Sequence, residues 1–197
     1  VPVLILDYGM GNLRSVQKAL QYLGEPADIG TDIARADRLV IPGVGAFGEA
    51  MTNLAPYADD LRAFARSGQP LLGICLGQQL LFETSEEHGE HRGLGILPGA
   101  VRYFPSDMGL KVPMIGWAPL EVVKPTGIVS RTPTKTKVYF VHSLYVDCPS
   151  ELVTAFADYG IRYAAAVQQG NVHAAQFHPE KSGPAGLAML EAFLTCS

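Results

Sequence analysis

One cysteine stands where a nucleophile could be held open. Residues 69–82 read Q-P-L-L-G-I-C-L-G-Q-Q-L-L-F. The apolar run Leu71, Leu72, Ile74 reads as a short buried strand, Cys75 follows at once, and residues 76–82 have helical composition. Gly73 and Gly77 flank the cysteine two residues away on either side, the Cys form of the G-x-S-x-G strand–nucleophile–helix turn. A residue at so sharp a turn occupies a strained backbone region, and neighbours without a Cβ let the turn close. The start of the following helix brings free N–H groups and a positive dipole end to the sulfur. Both favour thiolate and both can hold an oxyanion. A lone cysteine at a strand end is more often a small hydrophobe, so the reading depends on what else converges on it.

A cysteine nucleophile needs a base, and the base needs a group to orient it. There are five histidines. His88 and His91 lie in the polar stretch 85–92, S-E-E-H-G-E-H-R, which reads as an exposed loop with too few further ligands for a metal. His173 precedes the last strand and reads as surface. His142, ending the strand 137–141, is open to a structural or a site role. His178 is the best candidate, because it ends the apolar strand 172–177 and is followed by Pro179-Glu180. Pro179 biases His178 toward extended geometry, and in extended chain residues i and i+2 point the same way. Glu180 can therefore fix the imidazole tautomer and stabilise its protonated form. The competing reading is a strand-end turn with a surface ion pair. For the oxyanion, one donor is the N–H of Leu76 and another is available from Gly43-Val44-Gly45. That G-V-G-A-F-G stretch lacks the Lys-Ser/Thr pair of a phosphate loop and the spacing of a dinucleotide fingerprint.

These residues must be positioned by the elements between them. Strand runs at 3–7, 38–41 and 71–74, apolar but for Asp7 and Arg38, with a weaker one at 27–29, alternate with helical stripes at 13–23, 49–54 and 57–66. The order implies an α/β fold with an open, mostly parallel sheet flanked by helices. The second half offers short strands at 101–104, 120–123, 137–141, 153–157, 163–168 and 172–177 without clear helices between them. They read as added antiparallel strands, closed by a helix at 183–194. Ligands of open α/β sheets bind beyond the carboxyl ends of the strands. The loops after Asp7 and Ile41, and Cys75 after Ile74, all fall at that edge.

With 197 residues, 48% hydrophobic and only 17% charged, the chain reads as a single domain, residues 1–197, with a large core. A formal net charge of −4 speaks against nucleic acid and anionic membranes as partners. No apolar run is long enough to span a bilayer. The apolar start, 1–6, lacks a basic leader and reads as a first strand rather than a signal peptide. Three widely spaced cysteines without C-x-x-C point to a reducing cytoplasm.

Taken together, G-I-C-L-G-Q-Q (73–79) and Q-F-H-P-E-K-S (176–182) resemble the nucleophile and His–Glu motifs of the class I, triad-type glutamine amidotransferases. L-D-Y-G-M-G-N-L-R-S-V (6–16), I-P-G-V-G-A-F (41–47), G-L-G-I-L-P-G (93–99), I-G-W (115–117) and Y-F-V-H-S-L-Y (139–145) narrow the resemblance to the glutaminase subunits of imidazole glycerol phosphate synthase, in histidine biosynthesis. It covers essentially the whole chain. Anthranilate-synthase-type subunits lack the D-Y-G-x-G-N opening. Two departures are Ala118, where the family usually has Asn, and Leu144, where a second aromatic is common.

The resemblance implies a glutaminase without cofactor or metal. Cys75 attacks the side-chain amide of L-glutamine, His178 moves the proton and Glu180 orients it. Gly43, Val44, Gly45 and Leu76 supply the oxyanion site, and Gln79 with His142, Ser143 and Leu144 holds substrate. It also implies a partner, a (β/α)8-barrel cyclase that takes the ammonia through a channel and activates the glutaminase when its own substrate binds. Asn12, Arg14, Tyr145 and Lys181 are its expected docking face. A cysteine peptidase on the same turn, a binding module with a dead triad, and the vitamin B6 glutaminase subunit are the alternatives.

Overall fold

The computed structural model describes residues 2–196; Val1, with which the first apolar run opens, lies outside them. The chain forms β1 (Val3–Leu6), α1 (Leu13–Tyr22), β2 (Ala27–Gly30), β3 (Arg38–Ile41), α2 (Phe47–Leu54), α3 (Ala58–Arg66), β4 (Leu71–Ile74) and α4 (Leu76–Leu80). β1 lies between β2 and β3, β3 pairs with β4, and all three pairings are parallel. Alternate residues of these strands serve opposite faces, as a pleated strand requires. Val3, Ile5, Val40, Leu72 and Ile74 join one core with Val16 and Leu20 of α1. Leu4, Leu6, Leu39, Ile41 and Leu71 join the other with Leu54 of α2 and Leu61 of α3.

The second half adds β5 (Thr84–Ser85), β6 (His91–Arg92), β7 (Ala100–Tyr103), β8 (Met114–Pro119), β9 (Glu121–Val122), β10 (Lys137–His142), β11 (Leu144–Asp147), β12 (Val153–Asp158), β13 (Arg162–Gln169), β14 (Val172–Ala175) and α5 (Gly183–Leu194). β14 extends the parallel half beside β4. Its other edge takes β13 antiparallel, and β11 and β7 follow. β8 and β10 form a separate antiparallel ribbon. The fold is thus α/β, with a parallel half and an antiparallel half, as expected. β1, β3, β4 and β14 all end at one edge, which places the segments starting at Asp7, Pro42, Cys75 and Gln176 together.

Three local expectations change. The strand at 120–123 shrinks to β9, while β8 and β11 lie outside the expected strands. Residues 85–92 are not a plain exposed loop: Ser85 is buried, and His88 at φ +54 with Gly89 at φ +110 turns β5 back against β6. His173 is not surface either. It lies inside β14, buried against Phe193 of α5.

Burial holds the His173 pKa down to about 4. A folded-state value below the unfolded 6.5 means that the unfolded chain binds more protons between those limits. Stability is therefore whole above about pH 6.5 and declines as pH falls toward 4. We expect His173→Phe to reduce that decline by on the order of 2 kcal/mol, read by urea unfolding at pH 7 and pH 4.5.

Candidate active site

Cys75 links β4 to α4 with φ 55 and ψ −113, a backbone region that residues with a Cβ rarely enter. The turn closes because its neighbours are glycines. A Cβ on Gly77 would stand 1.9 Å from the carbonyl oxygen of Ile41, and one on Gly73 would stand 2.6 Å from that of Gly77. The Cys75 N–H donates to Ala175 O at 2.8 Å, which ties the turn to the end of β14. The first ladder bonds of α4 run from Gln78 and Gln79 to Cys75 O, so the Leu76 N–H stays outside the helical ladder.

The segment after β3 packs against this turn. Gly43 sits under Tyr8 and Leu76, where an added Cβ would meet Tyr8 Oη at 2.7 Å and Leu76 Cβ at 2.9 Å. Tyr8 O–H donates to Pro42 O at 2.6 Å, and burial followed by the nearness of Cys75 raises its pKa. Gly45 is at φ +105. Val44 between the two glycines is 43% exposed.

His178 follows β14 in extended geometry, φ −100 and ψ 98, as the proline after it requires. Its N–H donates to Tyr139 O, and Ser182 Oγ donates to its carbonyl while accepting from Tyr139 N–H. Nδ1 lies 2.7 Å from Glu180 Oε1, with both side chains only 2% exposed. Burial opposes charge on this imidazole. The influence of Cys75 and Glu180 outweighs it and pushes the pKa up to about 10. Nε2 nevertheless has no hydrogen-bond partner among the described residues. The sulfur of Cys75 lies 3.8 Å from Val141 O, to which the thiol can donate.

Cys75 and His178 open on one cavity of about 250 Å³. Val44, Gly45 and Leu76 line it near the turn, and Gln79, His142, Ser143 and Leu144 complete the wall. Gly43 and Glu180 do not line it: Gly43 packs on Leu76, and Glu180 pairs with His178. The His142 ring points elsewhere: Nδ1 is 2.7 Å from Leu144 O and Nε2 is 3.3 Å from Tyr163 Oη. Burial holds its pKa down to about 4, so the neutral ring donates from Nδ1 and is no second base. Three wall residues escaped the sequence reading, Glu87, Pro113 and Val141, and of these Glu87 alone is a carboxylate. Glu87 lines the cavity, and its Oε2 accepts the Phe47 N–H at the start of α2 at 2.6 Å. Only the β5–β6 turn brings it there.

The four expected docking residues do not all share one setting. Asn12 and Arg14 are exposed at the start of α1, and exposed Lys181 lies in the turn that packs on α1. Tyr145 is half-buried against Phe104, with ring centroids 5.4 Å apart. Ile115 and Trp117 of β8 are 62% and 55% exposed. Among the described residues no helix is long and apolar enough to cross a membrane, and no group of three or more His, Cys, Asp or Glu could hold a metal.

A nucleophile turn, a buried His–Glu pair and a shared cavity on a doubly wound sheet define a class, and the family model for class-I glutamine amidotransferases matches residues 4–196. The chain belongs to the class-I glutamine amidotransferase family. Within that class it falls with the HisH subunits of imidazole glycerol phosphate synthase. It is 48% identical to that subunit from Desulfitobacterium hafniense over 96% of this chain and 92% of the relative. It is 47% identical to the one from Methanosarcina barkeri, over 98% and 97%. The chloroplastic synthase hisHF of Arabidopsis thaliana is 46% identical over 98% of this chain, which spans 34% of that protein. A solved glutamine amidotransferase shares the fold with TM-score 0.75 at 24% identity, covering 98% of this chain and 99% of that one.

The glycine contacts make a direct prediction. Gly77→Ala pushes α4 off Ile41 and should cost about 2–3 kcal/mol of stability, read by urea unfolding.

Proposed function

We propose that this chain, acting as one domain, hydrolyses L-glutamine with Cys75, His178 and Glu180 and passes the ammonia to a (β/α)8-barrel cyclase that makes imidazole glycerol phosphate. The observation that carries this reading is the shared cavity. The thiol and the buried His178–Glu180 pair meet there, beside an amide (Gln79) and a carboxylate (Glu87).

Each step uses a group already in position. The Cys75 proton passes to His178 Nε2, whose charged form the sulfur and Glu180 favour, and the thiolate attacks the side-chain carbonyl carbon of glutamine. The oxyanion forms beside the Leu76 N–H and the Gly43–Gly45 backbone. His178 gives the proton to the departing nitrogen, and ammonia leaves a glutamyl thioester. Water, deprotonated by His178, then releases glutamate and restores the thiol. Glu180 accepts from Nδ1–H throughout, which keeps Nε2 as the reactive nitrogen. Glu87 offers a negative charge to the α-ammonium of the amino acid.

Partnership is supported by two features. The Arabidopsis relative contains a segment like this chain within a protein about three times longer. Ile115 and Trp117 expose apolar area on β8, next to β10, whose end lines the cavity. We assign the docking face to these two together with Asn12, Arg14, Tyr145 and Lys181. A cytoplasmic setting fits three free cysteines.

Two outcomes are expected. Glutamate release, assayed with and without a barrel cyclase and its ribonucleotide substrate, rises with the partner present and vanishes in Cys75→Ala; turnover surviving in Cys75→Ala overturns the reading. Glu87→Gln raises KM for glutamine roughly tenfold or more with a smaller change in kcat, as loss of a charged contact made in ground and transition states alike requires.

A further inference from the structure

Gln176 is wholly buried and lies two residues before His178. It forms no part of the cavity wall, yet its carboxamide reaches two residues that do. Its Oε1 is 3.0 Å from Gln79 Nε2, and its Nε2 is 3.8 Å from the Cys75 sulfur. The direction of this chain of amides is set by one backbone carbonyl. Leu144 O can only accept, so the Gln79 atom 3.3 Å from it must be the NH2. That same NH2 faces Gln176, which must therefore present its oxygen there. The remaining end of Gln176, its NH2, is then turned to the sulfur. Flipping Gln176 would set donor against donor, and flipping Gln79 would set acceptor against acceptor. The arrangement also leaves Oε1 of Gln79, a cavity residue, as an acceptor.

We propose that Gln176 is a positioning residue that ties the ligand pocket to the nucleophile: Oε1 decides which end of Gln79 meets the ligand, and Nε2 holds the sulfur. The inference deepens the glutaminase reading and rests on it. An N–H directed at sulfur favours thiolate over thiol. Because one carboxamide makes both contacts, a ligand that draws on Gln79 is felt at Cys75. Other groups also act on this sulfur. His178 faces it with Glu180 behind, Tyr8 is near enough to sense its charge, His142 lies beyond His178, and Glu87 shares the cavity. All of them remain in the variants below, so a difference between variants reports position 176.

The test uses Gln176→Met, which removes both contacts, and Gln176→Glu, which keeps an acceptor for Gln79 but loses the N–H toward sulfur. Iodoacetamide alkylation of the Cys75 peptide is followed by mass spectrometry against pH, alongside steady-state glutaminase kinetics. In both variants the midpoint pH of alkylation should rise by about one unit. KM for glutamine should rise roughly tenfold in Gln176→Met and stay within about twofold of wild type in Gln176→Glu. A wild-type alkylation midpoint in either folded variant overturns the sulfur contact, and equal KM changes in the two overturn the Gln79 contact. If Gln176→Met fails to fold, Gln176→Glu decides alone: its midpoint tests the sulfur contact, and a KM raised beyond twofold overturns the Gln79 contact. Alkylation needs no glutamine turnover, so a failure of the glutaminase reading is seen separately, as folded wild type without glutamate release.

Discussion

The site depends on how closely α4 can approach β3. No side chain fits between Gly77 and the Ile41 carbonyl. That contact sets the sharpness of the turn, holds Cys75 at positive φ, and leaves the Leu76 N–H beside the sulfur rather than in a helical ladder. Gly43 repeats the device one strand over, since a Cβ there would meet Tyr8, Leu76 and Gly77. Strain of this kind persists only where surrounding structure over-determines it. Here the surroundings are β3, β4 and β14, buried over nearly all their length and bonded on both edges.

The parallel half was legible because its signals are local. Runs such as 39–41 and 71–74 have no polar residue to place outward, so a doubly covered strand is what they can form. The cysteine flanked by glycines was legible for the same reason. What escaped is non-local. Nothing in S-E-E-H-G-E-H-R marks Glu87 as a wall residue, because its position comes from a two-residue strand pairing and a capping bond to Phe47 forty residues earlier. β8, M-I-G-W-A-P, carries a glycine and a terminal proline and exposes Ile115 and Trp117, so its composition matches no half-buried strand. His173 read as surface since its cover, Phe193, lies twenty residues away. His142 could be placed at the site but not oriented. Its direction follows from Leu144 O and Tyr163, which pairing of separate strands brings together.

Two histidines at one edge illustrate how environment sorts identical side chains. Both are buried. His142 has a backbone carbonyl and a hydroxyl to face, neither of which carries charge, so burial wins and the ring is neutral. His178 faces a buried carboxylate and a thiol, so charge wins. The sequence difference that decides this is small: Pro179-Glu180 after one, Ser143-Leu144 after the other. The proline holds His178 extended, and the 3₁₀ turn Pro179–Lys181 that follows delivers the carboxylate to Nδ1 at 2.7 Å.

The unpartnered atoms of the site complete the physical account. Most buried polar atoms in folded chains are paired, and each orphan costs about 1–3 kcal/mol. Here His178 Nε2 and Glu180 Oε2 are both buried without a hydrogen-bond partner, while the sulfur rests near Val141 O. A reacting group that enters between sulfur and imidazole accepts from Nε2 as the proton passes to the departing nitrogen. The cost borne in the resting state is thereby relieved only when charge develops, which is the differential binding that lowers a barrier rather than deepening a ground state.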